Sequence, residues 1–148
     1  PVLWLADPKW AMFSVIFVGV WSAVGWHACI YLAQLQSIPQ EYYEAAVVDG
    51  ASPWQKFRYI TFPMLSSAMT VSVLLLLVNA MKVFDLPFAL TNGGPGTSTT
   101  MISQIIIKSG FVEKNYGKAT AMSAVFFIFI TIVSIVQLTS MKRREIDT

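Results

Sequence analysis

From Trp10 to Gln40 the chain carries no Asp, Glu, Lys or Arg, and this run limits what the chain can be. A stretch so long without charge has no polar face to turn to water, and about 20 apolar residues suffice for a membrane-spanning helix. A second run without charge separates Lys118 from Lys142. Composition points the same way: 55% of residues are hydrophobic and 12% charged, against roughly 25% charged in soluble domains. In lipid every backbone polar group must be bonded within its own segment. The expected fold class is therefore an all-α membrane protein, a polytopic helical bundle. A net charge of +2 is too small to suggest nucleic acid as a partner. The lone Cys29 provides no disulfide framework, and His27 has no second ligand near it, so no metal site and no cofactor are expected. No span holds paired carboxylates or a nucleophile–base pattern, which leaves a membrane enzyme with little support.

Three spans are expected, over about residues 10–34, 64–83 and 119–141. On the first, Trp10 and Tyr31 sit near the ends, where aromatic rings favour the interface. Ser22, Gly25, Cys29 and Ala33 recur at helical spacing and would let a neighbouring helix approach closely. His27, Tyr31 and Gln34 fall roughly opposite. An intramembrane histidine marks a functional site by default, and a plain hydrogen bond to a neighbouring helix is the alternative. The second span is diluted by Ser66, Ser67, Thr70, Ser72 and Asn79, so it should be sheltered by other helices. Ala68, Ser72 and Asn79 share one face, with Lys82 a turn beyond, as a water-filled solute path or simple interhelical bonding would each require. The third span holds eleven Val, Ile, Leu and Phe residues and should insert most strongly, by roughly −3 to −7 kcal/mol. Gly117, Ala121 and Ala124 give it a small-residue face near its start.

Between the second and third spans the character changes. Asp85-Leu86-Pro87 should end the helical pattern, because proline disfavours helix at the residue before it. Thr91-Asn92-Gly93-Gly94-Pro95-Gly96-Thr97 is turn-forming throughout. No Lys follows these glycines and no strand precedes them, so they form no phosphate loop and the chain should not bind ATP itself. Thr97 to Thr100 are positioned to cap a short apolar helix from Met101 to about Ser109.

The half-polar stretch over residues 38–63 lies between two segments too apolar for water. Ser37 and Gln40 match a capping box, placing a helix start near Ile38. Gly50 can take positive φ and stop that helix, and Ser52-Pro53-Trp54-Gln55 supplies a second cap with Pro at the first helical position. Two short helices joined at a bend follow. Within them stand Glu44-Ala45-Ala46, then Gly50, then Ile60-Thr61-Phe62-Pro63. This pattern resembles the EAA loop of the membrane-spanning subunits of bacterial ABC importers: EAA, a Gly, a long gap, then I-x-L-P. Only the Leu departs, replaced by the equally apolar Phe62.

That resemblance implies a permease with normally six spanning helices, of which this chain would be the C-terminal half. Pro1 is no initiator residue, so the chain is expected to begin in mid-protein. The resemblance further implies that the loop 38–63 is a cytoplasmic helix-turn-helix docking on a separate ATP-binding cassette subunit. Glu44, Ala45, Ala46, Asp49 and Gly50 would form that contact, with Trp54 and Phe57 as apolar anchors. The phrase LTNGGPGTSTT, with Phe84-Asp85 upstream, is similar to a segment of carbohydrate-type permeases related to maltose and glycerol-phosphate importers. It implies a sugar or polyol solute, an extracytoplasmic solute-binding protein near residues 84–118, a second permease subunit, and the cytoplasmic (inner) membrane of a bacterium. His27, Ser72, Asn79, Lys82 and Asn92 are the candidate substrate-path residues. Lys142-Arg143-Arg144 suggests a cytoplasmic end under the positive-inside rule, although Lys108, Lys114 and Lys118 fall on the expected outer side. A permease for amino acids, peptides or anions, or a structural subunit without transport, are the rival readings.

Overall fold

The computed structural model describes residues 3–146. Pro1 lies outside them, and so do the side chains of Lys142, Arg143 and Arg144. The described elements are helical throughout: α1 (Pro8–Gln36), α2 (Gln40–Val48), α3 (Pro53–Lys56), α4 (Phe62–Met64), α5 (Ser66–Lys82), α6 (Asp85–Thr91), α7 (Ile102–Ile107) and α8 (Tyr116–Ile146). Two π-helical turns, Phe57–Thr61 and Lys108–Val112, continue α3 into α4 and extend α7. Among the described residues, Pro8–Gln36 and Tyr116–Met141 are each long and apolar enough to cross a membrane, and Pro53–Met64 with Ser66–Lys82 makes a third, bent candidate. The fold is that of an all-α polytopic membrane protein.

Two compact units can be distinguished, one formed by the chain up to Ala23 with Leu77–Ser134, the other by Val24–Leu76 with the chain from Ile135 onward. In the first, Gly19 of α1 lies close to α6, where a Cβ would come 3.4 Å from Leu86. Gly110 lies against Ala119, where an added Cβ would come 3.2 Å from that methyl. Small residues thus permit close approach, but at positions other than those expected. Gly25 and Gly117 have open space around them, and Ser22, Cys29 and Ala33 are exposed.

The segment after α5 differs from the sequence expectation. α5 does end at Lys82, yet Asp85-Leu86-Pro87 opens a new helix instead of a turn. Proline is tolerated there because the first-turn N–H groups of a helix have no intrahelical acceptor to lose. Asn92 then ends α6 in the left-handed conformation, φ 50°. The threonines that follow do not cap α7. Thr99 donates to the Gly94 carbonyl and Thr100 to that of Gly93, at 2.8 and 3.1 Å, while Gln104 reaches back to accept from the Met101 N–H at 3.1 Å. Gly93 is required here: its φ is +86° and a Cβ would meet Thr100 Oγ1 at 2.9 Å.

In the second unit α2 starts at Gln40, two residues later than expected, because the Ser37–Gln40 box does not form. Pro39 is extended and caps nothing with its side chain, and the Ser37 hydroxyl donates back to the Gln34 carbonyl at 2.8 Å. The second box does form. Ser52 Oγ accepts from the Gln55 N–H at 3.3 Å, and Gln55 Oε1 accepts from the Ser52 N–H at 2.7 Å. Ser52→Ala should cost about 1 kcal/mol locally, seen as roughly fivefold faster amide exchange over residues 53–56 in the full-length protein. Unchanged exchange would mean that the box does not hold the turn.

Pro63 has no N–H to give the preceding turn, and the π turn ahead of it shifts the hydrogen-bond register, with Phe62 N–H bonded to the Phe57 carbonyl. At Leu65 ψ falls to −8°, and Pro63 is the identifiable source of the resulting kink. The axes of Pro53–Met64 and Ser66–Lys82 diverge there by 56°. Gln34 Nε2 of α1 donates to the Met64 carbonyl at this bend, at 3.2 Å.

Candidate functional site

The loop over residues 38–63 presents a polar and aromatic surface built on short, well-defined turns. Gly50 takes φ +73°, and its N–H bonds to the Val47 carbonyl at 3.0 Å while Ala51 N–H reaches that of Ala46 at 2.9 Å. These bonds close α2 in the manner of a glycine-terminated helix. Tyr43 Oη and Thr61 Oγ1 lie 2.9 Å apart and tie α2 to the π turn. Ile38 is buried beneath.

Held in this way, Glu44, Ala45, Asp49 and Gly50 are exposed, with Ala46 half-buried. Ala46 and Asp49 share a hollow of about 210 Å³ with Ala51, Gln55, Lys56 and Tyr59. Beside it, Trp54 and Phe57 have ring centroids 5.6 Å apart, Phe57 and Phe62 6.3 Å, and the Arg58 guanidinium stands 5.7 Å over the Phe62 ring. Trp54 remains 69% exposed and Val48 88%. Large apolar side chains, a small-residue hollow and two carboxylates thus lie together at the surface of this loop. The Tyr43–Thr61 tie was not anticipated, since nothing local links two residues eighteen positions apart.

The polar residues of the spans fall into two groups. In the second unit, His27 Nδ1 and Ser72 Oγ lie 2.6 Å apart. Ser72 has 0% exposure, and Ala68 and Thr70 beside it on α5 are also buried. His27 therefore has a helix partner, as the interhelical-bond alternative for it supposed. In the first unit, Asn79 and Lys82 at the end of α5 are exposed, and so is Asn92 in the turn after α6. Cys29 is a free thiol, exposed. Among the described residues no three His, Cys, Asp or Glu side chains gather as metal ligands would.

Comparison with known proteins places this geometry. Residues 1–145 match the family model described as a binding-protein-dependent transport system inner membrane component. The chain is 41% identical over 135 residues to the probable ABC transporter permease protein YurN of Bacillus subtilis, covering 91% of this chain and 46% of that protein. It is 38% identical over 138 residues to the trehalose/maltose transport system permease protein MalF of Thermococcus litoralis, covering 93% and 46%. Among solved structures it resembles a chain of a bacterial ABC transporter involved in the import of the acidic polysaccharide alginate. That likeness has a TM-score of 0.75 and 30% identity, over 97% of this chain and 49% of that one. The chain spans about half the length of the curated relatives it matches. With a match running over nearly its whole length, the chain belongs to the family of binding-protein-dependent transport system inner membrane components.

Proposed function

We propose that this chain forms part of the permease subunit of an ATP-driven importer for sugars or related polyols. In this reading residues 38–63 are the cytoplasmic loop through which a separate ATP-hydrolysing subunit moves the spanning helices. The three spans run over about residues 10–34, 64–83 and 119–141, and residues 84–118 are extracytoplasmic. A second permease subunit and a solute-binding protein complete the assembly. One observation carries the docking role: Glu44, Ala45, Asp49, Gly50 and Trp54 stay exposed on turns that are internally bonded and capped. Carbohydrate as the solute class is supported by the names of several relatives, including the trehalose/maltose permease and the permease AmyD of a system for starch degradation products. Asn79, Lys82 and Asn92, all exposed in the first unit, supply polar groups of the solute path, while His27 and Ser72 are engaged with each other.

The test uses the full-length permease in its complex, with Cys29 replaced by Ser. A photo-crosslinker carried on Ala46→Cys should attach to the ATP-hydrolysing subunit, and one on Asn92→Cys should attach to the solute-binding protein or to nothing. Adducts with the ATP-hydrolysing subunit from position 92, or none from position 46, would remove the docking role.

A further inference from the structure

Within the first unit a groove of about 820 Å³ opens between α6, the glycine turn, α7 with its π extension and the start of α8. Its walls include Phe84, Phe88, Asn92, Gln104, Ser109 and Lys118. Phe84 and Phe88 are stacked, centroids 5.1 Å apart and planes 18° from parallel, and Phe88 is still 50% exposed. Two polar groups in the walls have no partner among the described residues. Gln104 Nε2 and Ser109 Oγ are both shielded from solvent and unbonded, and Ser109 as a residue is only 2% exposed. Buried donors are nearly always satisfied, and leaving them unpaired is costly. Gln104 is held in place, since its Oε1 accepts from the Met101 N–H at 3.1 Å, so its amide N–H₂ is fixed with spare donor capacity. A groove of this size, with an aromatic platform and a few convergent polar groups, has the make-up of a small-ligand site.

We infer that this groove is a saccharide subsite. The Phe84–Phe88 pair would bear the C–H face of a pyranose ring, while Gln104 Nε2 and Ser109 Oγ bond its hydroxyls. A neutral sugar and a uronate share the stacking and hydroxyl contacts, and Lys108 and Lys118 in the lining would meet a uronate's carboxylate. This inference rests on the sugar reading above and adds to it a place, outside the His27–Ser72 pair, where a solute ring is held.

The experiment uses the assembled importer with full-length permease in lipid nanodiscs, without solute-binding protein. Saturation-transfer NMR is recorded with maltose and, separately, with glucuronate. Ring C–H signals are expected from at least one probe, with apparent affinity falling about tenfold in Gln104→Glu and again in Ser109→Ala. Gln104→Glu keeps the acceptor for the Met101 N–H and replaces the unpaired donor by a carboxylate oxygen, and an unchanged melting temperature of the variant complex separates lost recognition from misfolding. A signal from maltose alone identifies a neutral-sugar site, and one from glucuronate alone an acidic-sugar site. Absence of signal from both probes, or equal affinity in wild type and both variants, overturns the subsite. Uptake by the same preparations separates the two levels. Saccharide uptake with a half-saturating concentration indifferent to both substitutions sinks the groove alone. No saccharide uptake by the wild type sinks the sugar reading and the groove with it.

Discussion

Gly50→Val in the full-length permease is expected to abolish solute uptake, by tenfold or more, while the assembled complex continues to hydrolyse ATP. The argument begins with backbone conformation. At φ +73° an L-residue is strained by roughly 1–2 kcal/mol, more when β-branched. Among the described residues beyond its chain neighbours, no atom lies within 4 Å of where a Cβ would stand, so the strain is conformational and not steric. The least costly escape is for Gly50 to leave the left-handed region, which breaks the Gly50–Val47 and Ala51–Ala46 bonds that close α2. Glu44 and Ala46 would then be misaimed relative to Trp54 while both helices persist. Gly50→Asn separates causes, because asparagine tolerates positive φ. If uptake survives Asn and fails with Val, turn geometry is what matters. Failure with both points instead to a partner lying close against Gly50. Normal coupling in Gly50→Val would be incompatible with a loop that transmits force.

The second large effect is expected at the helix pair. Ser72 has no exposed surface, and its hydroxyl lies 2.6 Å from His27 Nδ1. Ser72→Leu removes the bond, strands a half-buried ring nitrogen and forces three extra carbons into filled space. Overpacking and a lost partner together should cost about 2–4 kcal/mol, read as earlier unfolding of the detergent-solubilised permease. Ser72→Ala, which loses the bond without the volume, should cost less. His27→Ala combined with Ser72→Ala should destabilise by clearly less than the sum of the two single changes, because residues in contact are not additive. A Ser72→Leu protein that unfolds like the wild type would show that α1 and α5 do not depend on this contact.

Much of this architecture was legible in advance, for identifiable reasons. Uncharged runs longer than a bilayer crossing announce α1 and α8 through composition alone. Gly50 and the Ser52–Gln55 box are local devices whose chemistry is complete within four residues, so they could be read directly. The Ser37–Gln40 box failed because the Ser37 hydroxyl had a competing acceptor one turn back, the Gln34 carbonyl. Thr99 and Thr100 likewise spend their hydroxyls on the glycine turn, leaving α7 to be capped by its own Gln104. α6 was hidden by reading Pro87 as a terminator when it stands in a first turn. The π turns at Phe57–Thr61 and Lys108–Val112 leave no signature in hydrophobic period. Partners such as Ser72 for His27 or Thr61 for Tyr43 are set by tertiary packing, which a linear reading does not contain. For the proposed docking surface, sequence spacing nominated the residues, and the structure adds that Asp49 and Ala46 share a hollow.

The bend at Leu65 has a mechanical corollary. On the docking role proposed above, an angle of 56° between two rods, with the corner tethered by the Gln34 amide and the short arm braced by Tyr43, would work as a bell-crank. Thrust delivered along Trp54 and Phe57 is expected to emerge as a tilt of the long rod instead of being absorbed as flexing at the elbow. Gln34→Ala should therefore loosen the crank, weakening the transfer of motion while leaving both arms intact.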